Sequence, residues 1–308
     1  SSLGCRAMPA VRVRNLRKAY GPITAVDDVS LDIEPGAVYA LLGQNGAGKS
    51  TAVEILEGHR KRDSGEVEVL GLDPAGGGRE LRDRIGIVLQ SSGIEHEFKV
   101  REAIETYGSV YRRRRPIDEV LELAGLDHKA DERFGTLSGG QQRRLDLALG
   151  IVGYPEVLFL DEPTTGFDPG ARRRAWDVVS NLCTGGTTVL LTTHYLDEAE
   201  HLADRVGIIS DGSIVAEGSP QELMAGIGVS TITFTWPEGV GSGELDGVLP
   251  EDAEVRGNAV RIATPTPTAT VHELTAWAVA HDVELPALTI QPPSLEDVYF
   301  QFAKDERQ

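Results

Sequence analysis

A glycine-rich loop that ends in lysine, serine and threonine contains the first residues whose types and spacing indicate chemistry. It lies between an apolar run, 37–42, and a segment of helical pattern, 51–57, and reads Gly43-Gln44-Asn45-Gly46-Ala47-Gly48-Lys49-Ser50-Thr51. Glycines let successive backbone N–H groups point inward, and the start of a helix adds its positive end, so the loop forms a concavity for an anion. The spacing predicts a phosphate-binding loop, in which Lys49 reaches the outer phosphates of a nucleotide and the Ser50 hydroxyl ligates Mg²⁺.

Two adjacent carboxylates follow a second apolar run. Asp161 and Glu162 come directly after 157–160, which is continuously apolar, as a buried parallel strand should be. Ligands of open α/β sheets bind at the carboxyl ends of the strands, and carboxylates there are costly to bury without a partner. We therefore expect Asp161 to bind Mg²⁺, directly or through water, and Glu162 to act as a general base that polarises the attacking water.

A histidine closes a third apolar run. His194 follows 188–192, which also reads as a buried strand. Because parallel strands end at the same edge of a sheet, His194 is predicted to face the same site as Glu162. A neutral imidazole there would contact either the outermost phosphate or the water.

Two further strand ends leave alternatives open. Gln90 closes the short apolar run 85–89, and its amide either reaches a metal-bound water or caps a turn; spacing does not decide between them. Tyr20 ends the strand predicted over 11–20. Its ring either stacks on a base or is that of an ordinary half-buried strand tyrosine.

A second helix start also has the features of an anion site. The stretch reads Leu137-Ser138-Gly139-Gly140-Gln141 and opens a helical pattern. Ser138 is a candidate N-cap, and the glycines allow a ligand to approach the backbone closely. The chain thus has two predicted phosphate-binding helix ends, far apart in sequence.

Composition narrows the class of protein. The chain has 308 residues and a formal net charge of −18, and 40% of its residues are hydrophobic. The acidic balance argues against nucleic acid as a partner, since phosphate backbones are bound by basic surfaces. The two cysteines, Cys5 and Cys183, predict no disulfide, and residues 1–10 are expected to form an unstructured tail without a signal peptide. No apolar run reaches the length of a membrane span.

The arginines at positions 112–115 allow two interpretations. All four precede Pro116 and follow a helical pattern that runs from Val100 through Val110. They are either a contact for an anion or a partner, or a solvated helix end, where cations are favoured.

Taken together, these motifs resemble the ATP-binding subunit of ABC transporters. The loop of residues 43–51 is similar to the Walker A loop, and 157–162 to Walker B with its catalytic glutamate. The stretch 137–141 is similar to the LSGGQ signature, and Gly166-Phe167-Asp168 to the D-loop. By the same resemblance, Gln90 is the Q-loop glutamine, His194 the H-loop histidine and Tyr20 the A-loop aromatic that stacks on adenine.

The resemblance covers residues 11–223, and its spacing is closest to ABC-2-type drug exporters, including the daunorubicin-resistance type. Two departures are small. Gln44 stands where proline is commoner, and Phe167 where leucine is commoner. Neither position supplies an essential side chain in the family, so the ATPase activity that the resemblance implies is not in doubt.

The fold that the resemblance implies is α/β. Residues 11–225 would form a P-loop NTPase core, with an antiparallel β subdomain and a helical signature subdomain over about 91–150. The character of the sequence changes after Gly228. Residues 226–308 are therefore expected to form a small C-terminal accessory α+β domain.

The resemblance also implies how the site works. Two copies would pair head to tail, with ATP between the Walker A loop of one and the signature of the other. Residues implied in ATP binding are Tyr20, Gly43, Asn45, Gly46, Ala47, Gly48, Lys49, Ser50, Thr51, Ser138, Gly139, Gly140, Gln141 and Asp168. Ser50, Gln90 and Asp161 would hold Mg²⁺ and its waters. Catalysis is assigned to Glu162, His194, Lys49 and Gln90.

The biological role implied is that of an energy-coupling subunit. It would work on the cytoplasmic face of the membrane and power export of a drug, antibiotic or lipid-like substrate. The permease would be a separate polypeptide, docked on the segment that follows Gln90 and runs through Lys99. The alternatives are an importer ATPase and a soluble ABC ATPase without a transport role.

Overall fold

The chain divides into two compact units. The structure, a computed structural model, describes residues 8–88, 93–237, 240–241, 248–250 and 253–304. The first unit comprises residues 1–220 and the second residues 221–308, so the division falls a few residues before the predicted boundary. No helix in these ranges is both long and apolar enough to cross a bilayer.

Strands and helices alternate through the first unit. The strands of the chain are β1 (Val11–Tyr20), β2 (Ile23–Ile33), β3 (Val38–Leu42), β4 (Ser64–Val69), β5 (Ile85–Val88), β6 (Val157–Asp161), β7 (Thr188–Thr193), β8 (Arg205–Ser210), β9 (Ser213–Gly218), β10 (Ser230–Thr235), β11 (Glu254–Arg256), β12 (Ala259–Thr264) and β13 (Thr289–Gln291). The α-helices are α1 (Lys49–Leu56), α2 (Gly78–Arg82), α3 (Val100–Gly108), α4 (Ile117–Leu123), α5 (Gly139–Ile151), α6 (Pro169–Thr184), α7 (Leu196–Leu202), α8 (Pro220–Ile227), α9 (Pro267–Ala280) and α10 (Leu295–Lys304).

A six-stranded sheet forms the centre of the first unit. Its order is β5-β6-β7-β3-β8-β9, with all neighbours parallel except the last pair. Strands β3, β6 and β7 are buried almost throughout, which explains their continuously apolar sequences. Because these three strands are adjacent and parallel, the residues that follow them meet at one edge of the sheet.

An antiparallel sheet covers part of this core. Its order is β2-β1-β4, and its strands are antiparallel, as the antiparallel β subdomain implied by the resemblance requires. One face of β2 buries Val29, Leu31 and Ile33. Strand β1 begins at Val11 as predicted, but Ala10, assigned to the tail, is buried and its N–H donates to the Ile33 carbonyl at 2.8 Å. The prediction of a tail is therefore wrong at Ala10, because the first hydrogen bond of the sheet already forms there; residues 1–7 lie outside the described part.

Helices α3, α4 and α5 pack against one another, and α5 also lies directly on β5. This contact requires two glycines. A Cβ on Gly86 would lie 2.0 Å from the carbonyl oxygen of Gly150, and a Cβ on Gly150 would lie 2.4 Å from Val88. The strand backbone at Gly86 therefore lies directly against the Gly150 carbonyl, and the Val88 side chain packs on Gly150.

The second unit has its own core. A four-stranded antiparallel sheet, β11-β12-β10-β13, packs its buried face against α9. The core residues are Ile232, Phe234, Val260, Ile262, Leu274, Ala278 and Leu285. The sequence predicts the helix from Val271 and a loop at Pro267. The predicted start is wrong, because α9 begins at Pro267. Proline is tolerated in the first turn of a helix, since the N–H groups there have no partner within the helix.

Three of the four arginines at 112–115 are engaged within the first unit. Arg112 lies 3.2 Å from Asp83. The guanidinium groups of Arg113 and Arg115 lie 4.8 and 4.2 Å from the ring centre of Tyr154. The segment is thus held by ion-pair and cation–π contacts, and the helix before it ends at Gly108 instead of Val110.

A buried carboxyl at the end of α1 makes stability depend on pH. Glu57 is 5% exposed, and burial, with smaller contributions from Asp161 and Glu54, raises its pKa to about 8. Below that pH the folded protein keeps the proton, whereas the unfolded chain releases it near the ordinary glutamate pKa. The folded state therefore loses stability at this group as pH rises between the two values.

We predict that Glu57→Gln removes this dependence. The free energy of unfolding of the variant should rise relative to wild type by a few kcal/mol from about pH 5 to about pH 8, because a neutral amide has no proton to lose. Urea titrations at several pH values measure the difference. Glu122→Gln, at an exposed position, is the control. An E57Q difference as constant with pH as that of E122Q would contradict the prediction.

Candidate nucleotide site

The phosphate-binding loop connects β3 to α1. Gly48 caps the helix with φ of 106°, a left-handed conformation that favours glycine. A Cβ at this position would lie 2.2 Å from the carbonyl oxygen of Ala25. The loop therefore has the close turn that its glycine spacing predicts.

The ammonium group of Lys49 is held inside this loop. The side chain is 6% exposed, and Nζ donates to the carbonyl oxygens of Gly43 and Gln44 at 2.7 and 2.9 Å. Burial lowers the pKa of Lys49, while the negative charges of Glu162 and Asp161 oppose that shift. The lysine is thus a buried cation beside two carboxylates.

The loop and the two carboxylates line one cleft of about 340 Å³. Its lining comprises Ala25, Asn45, Gly46, Gly48, Lys49, Ser50, Thr51, Asp161 and Glu162. Residues more than a hundred positions apart in sequence therefore meet where the sheet topology predicts.

Asp161 is oriented by the neighbouring strand. It pairs in register with Thr192 of β7, whose buried hydroxyl donates to Asp161 Oδ1 at 2.5 Å. Ser50, an exposed residue, lines the same cleft. A carboxylate and a hydroxyl are oxygen donors of the kind Mg²⁺ prefers, so these two residues fit that metal.

Glu162 begins the loop after β6 in a left-handed conformation, with φ of 46°. Its Oε1 lies 3.1 Å from Nδ1 of His194, and its Oε2 accepts a hydrogen bond from Thr165 at 3.2 Å. The histidine is therefore beside the acidic strand end, as its position after a parallel strand predicts. Such a carboxylate can accept a proton from a water in the cleft.

The second helix end is built as the sequence predicts. Ser138 is the N-cap of α5: its hydroxyl accepts from the N–H of Gln141 at 3.4 Å, and the Gln141 side chain accepts from the Ser138 N–H at 2.8 Å. Ser138 and Gly139 are exposed, and Gly140 is partly so. None of them lines the cleft of their own chain as described.

Two other predicted residues, Asp168 and Tyr20, are not part of the cleft lining. Asp168 caps α6, accepting from the N–H groups of Gly170 and Ala171 at 2.9 Å, and these bonds lower its pKa. Tyr20, 40% exposed, ends β1 with the Arg60 guanidinium 5.3 Å from its ring. Gln90 lies outside the described residues.

Three supporting residues escaped the sequence analysis. Besides Thr192, Arg143 of α5 donates to backbone carbonyls at the end of β6. Glu198 of α7 is fully buried, which raises its pKa, and it accepts from Trp176 Nε1 at 3.1 Å. The available signals are weak: a threonine two residues before His194, and polar residues inside helices that otherwise read as amphipathic.

Comparisons with known proteins agree with this geometry, which is that of a P-loop nucleoside triphosphatase. A family model for ABC transporters matches residues 26–165, and a model described as "ABC transporter domain-containing protein-like, C-terminal domain" matches residues 230–294. A daunorubicin resistance ATP-binding protein of Streptomyces coeruleorubidus is 36% identical over 306 residues, 97% of each chain. A Nod factor export ATP-binding protein of Rhizobium johnstonii is 37% identical, covering 99% of this chain and 98% of the relative.

A solved structure is similar as well. It is a dimeric ATP-binding cassette in a post-hydrolysis state with ADP and Pi, with a TM-score of 0.60 and 27% identity, covering 68% of this chain and 98% of that one. The chain therefore belongs to the ABC transporter family, as an ATPase subunit. The resemblance to the exporter group is confirmed.

The Thr192 hydroxyl provides a test of how the site is supported. Thr192→Val keeps the side-chain shape but removes the donor to Asp161 and the acceptor for the Glu162 N–H at 3.2 Å. We expect the free energy of unfolding to fall by about 1–3 kcal/mol, because buried polar groups lose a partner, and ATPase activity to fall with it. Chemical denaturation and phosphate release measure both. Thr184→Val, which removes an exposed hydroxyl, is the control. If T192V changed the free energy of unfolding and the ATPase activity no more than T184V, the Thr192 hydroxyl would not support the site.

Proposed function

We propose that the chain is the ATP-hydrolysing subunit of an exporter, acting as a head-to-tail pair beneath a separate ABC-2-type permease. The observation that carries the proposal is the cleft. It brings together a buried lysine in a glycine loop and a carboxylate pair, one member of which contacts a histidine. The full-length relatives named for drug resistance and Nod factor export support the export role.

In this proposal the residues of one cleft divide the work. Lys49 and the N–H groups from Gly46 to Thr51 bind the phosphates, since the cradle is formed by the loop itself and by the start of α1. Glu162 orients and deprotonates the attacking water, and His194 holds the Glu162 carboxylate and contacts the transferred group.

The metal would be held by Ser50 and Asp161. Gln90 would be a third ligand of the metal or its waters, as the resemblance implies. When bound, Mg²⁺ neutralises charge that develops on the phosphates. Thr192 keeps Asp161 oriented toward the cleft edge. Such a site works by positioning and electrostatics, so small displacements of Glu162 reduce the rate strongly.

The second helix end supports the pairing. Ser138, Gly139 and Gly140 present an exposed, capped helix N-terminus that does not line the cleft of its own chain. A second copy in head-to-tail orientation would place this end against the phosphates bound in the first. We assign Gln141 and Asp168 to the same interface, and Tyr20 to the adenine. The dimeric cassette that is similar in structure supports this arrangement.

The domain assignment follows from the same proposal. Residues 11–225 form the ATPase domain, which contains the cleft, and residues 226–308 form an accessory domain. The complex would lie on the cytoplasmic face of the membrane, held there by the permease.

Mixed dimers test the pairing. Lys49→Ala and Ser138→Arg each inactivate both sites of a homodimer, but a mixed dimer keeps one intact site, built from the lysine of one chain and the serine of the other. A one-to-one mixture should therefore recover about a quarter of wild-type activity, since half the dimers are mixed and each has one of two sites.

The control mixes K49A with Glu162→Gln. Both residues belong to the same cleft, so each cleft of the mixed dimer carries one of the two changes. No dimer then has an intact site, and no activity should return. Recovery in the control, or none in the K49A and S138R mixture, would contradict head-to-tail pairing. Steady-state phosphate release after equilibration measures both.

Export is tested with the complex from membranes. The tagged chain should copurify with a polytopic membrane protein, and the reconstituted pair should move daunorubicin out of the compartment that contains ATP. The E162Q complex should bind ATP and dimerise but neither hydrolyse nor transport, because its general base is gone. Movement toward the ATP side would identify an importer. ATPase activity with no membrane partner would favour a soluble role.

A further inference from the structure

Arg143 holds the backbone on both sides of Glu162. This residue of α5 is 8% exposed. Its Nη2 donates to the carbonyl oxygens of Asp161 at 2.7 Å and Glu162 at 3.1 Å, and its Nε donates to the carbonyl of Pro163 at 3.2 Å. Three consecutive carbonyls thus share one guanidinium group.

Arg143 donates to all three of these carbonyls, and the Glu162 carbonyl also accepts from the Thr165 N–H at 3.3 Å. Strand β6 ends at Asp161, so the ladder no longer supplies N–H groups to the residues that follow. Glu162 adopts a left-handed conformation that is unfavourable for a residue with a side chain. A conformation of this kind persists only where its surroundings fix it, and Arg143 supplies three of the bonds that do so.

The chemistry of arginine suits this task. Its planar fork presents several N–H donors in fixed directions and stays charged when buried, whereas lysine offers a single point of charge. Burial lowers the pKa of Arg143, and Asp146, 3.6 Å from Nη1, opposes that shift. The guanidinium is therefore charged, and it is oriented by the three carbonyls on one side and by Asp146 on the other.

Arg143 also belongs to the helix that begins at Ser138. With a rise of about 1.5 Å per residue, it lies about 8 Å along the axis from the N-cap. The helix whose start is assigned to the partner's nucleotide is thus hydrogen-bonded, through Arg143, to the backbone of its own chain's Glu162.

We propose that Arg143 is a positioning residue that aligns the Glu162 carboxylate of its own chain for ATP hydrolysis, although it stands on the helix that serves the opposite site. The proposal rests on the proposed function, because it assigns Arg143 to one of two sites in a pair. It predicts that damage at Arg143 appears in the cleft of the same chain. A residue acting through the helix N-terminus would instead damage the cleft of the partner.

Mixed dimers with two affinity tags separate these cases. In the first, an Arg143→Lys chain pairs with a Lys49→Ala chain, so the one working cleft contains R143K. In the second, K49A and R143K are on the same chain and the partner is wild type, so the working cleft has an intact Arg143. The reference is wild type paired with K49A.

The expected result is a split between the two dimers. The first should lose about tenfold to a hundredfold in kcat, as small misplacements of reacting groups do, while its affinity for a fluorescent ATP analogue stays within about twofold. The second should match the reference. Equal losses in both dimers, or a loss only in the second, would overturn the proposal, as would a loss of kcat explained by weaker nucleotide binding.

Arg144→Lys is the matched control. Arg144 is the next residue of α5 and also donates to backbone carbonyls, those of Gly125 and Ala124 at 2.8 and 3.4 Å. It should lose little activity in either dimer. If R143K does not fold, Asp146→Asn is used in its place. This variant keeps the guanidinium but removes the charge that orients it. We then expect a smaller loss of kcat, about threefold, in the first dimer only.

Failure of the pairing would look different. If wild-type and K49A chains do not form mixed dimers, the proposed head-to-tail function fails. The positioning proposal is then decided on the single chain, where R143K must lower kcat at unchanged nucleotide affinity and R144K must not. Equal kcat values for the two lysine variants would then refute it.

Discussion

A buried ammonium group beside two carboxylates is the constraint on which the first unit depends. Lys49 is almost fully buried, and its charge is balanced by the carbonyl oxygens of its own loop and by Asp161 and Glu162. Buried charges destabilise a fold unless partners are close and well oriented. The parallel order β6-β7-β3 meets this need, because it brings one loop and one acidic strand end to the same edge.

The sequence predicts the parts of this site that depend on local pattern. A glycine loop needs only its own spacing, a buried strand needs a continuous apolar run, and a capped helix needs a serine followed by glutamine. The antiparallel sheet, the cleft edge and the Ser138 cap accordingly agree with prediction. The parallel ladder also explains why His194 lies beside Glu162.

The parts that sequence could not predict depend on contacts between distant segments. Thr192 and Arg143 look like an ordinary strand threonine and an ordinary helix arginine until β7 and α5 are placed beside the end of β6. The predicted start of a helix can be wrong for a related reason. A proline reads as a break, yet Pro267 sits in the first turn of α9, where the fold leaves its nitrogen without need of a partner.

The contact between α5 and β5 has a mechanical consequence. With Gly150 against Gly86 and Val88, the helix can neither slide along the strand nor rotate on it without a steric clash. The helix that presents Ser138 and strand β5 are therefore closely packed at this contact. A displacement of α5 is therefore expected to displace β5 as well, because the backbone of Gly86 and the Val88 side chain lie directly against Gly150 and leave no space for the two elements to shift independently.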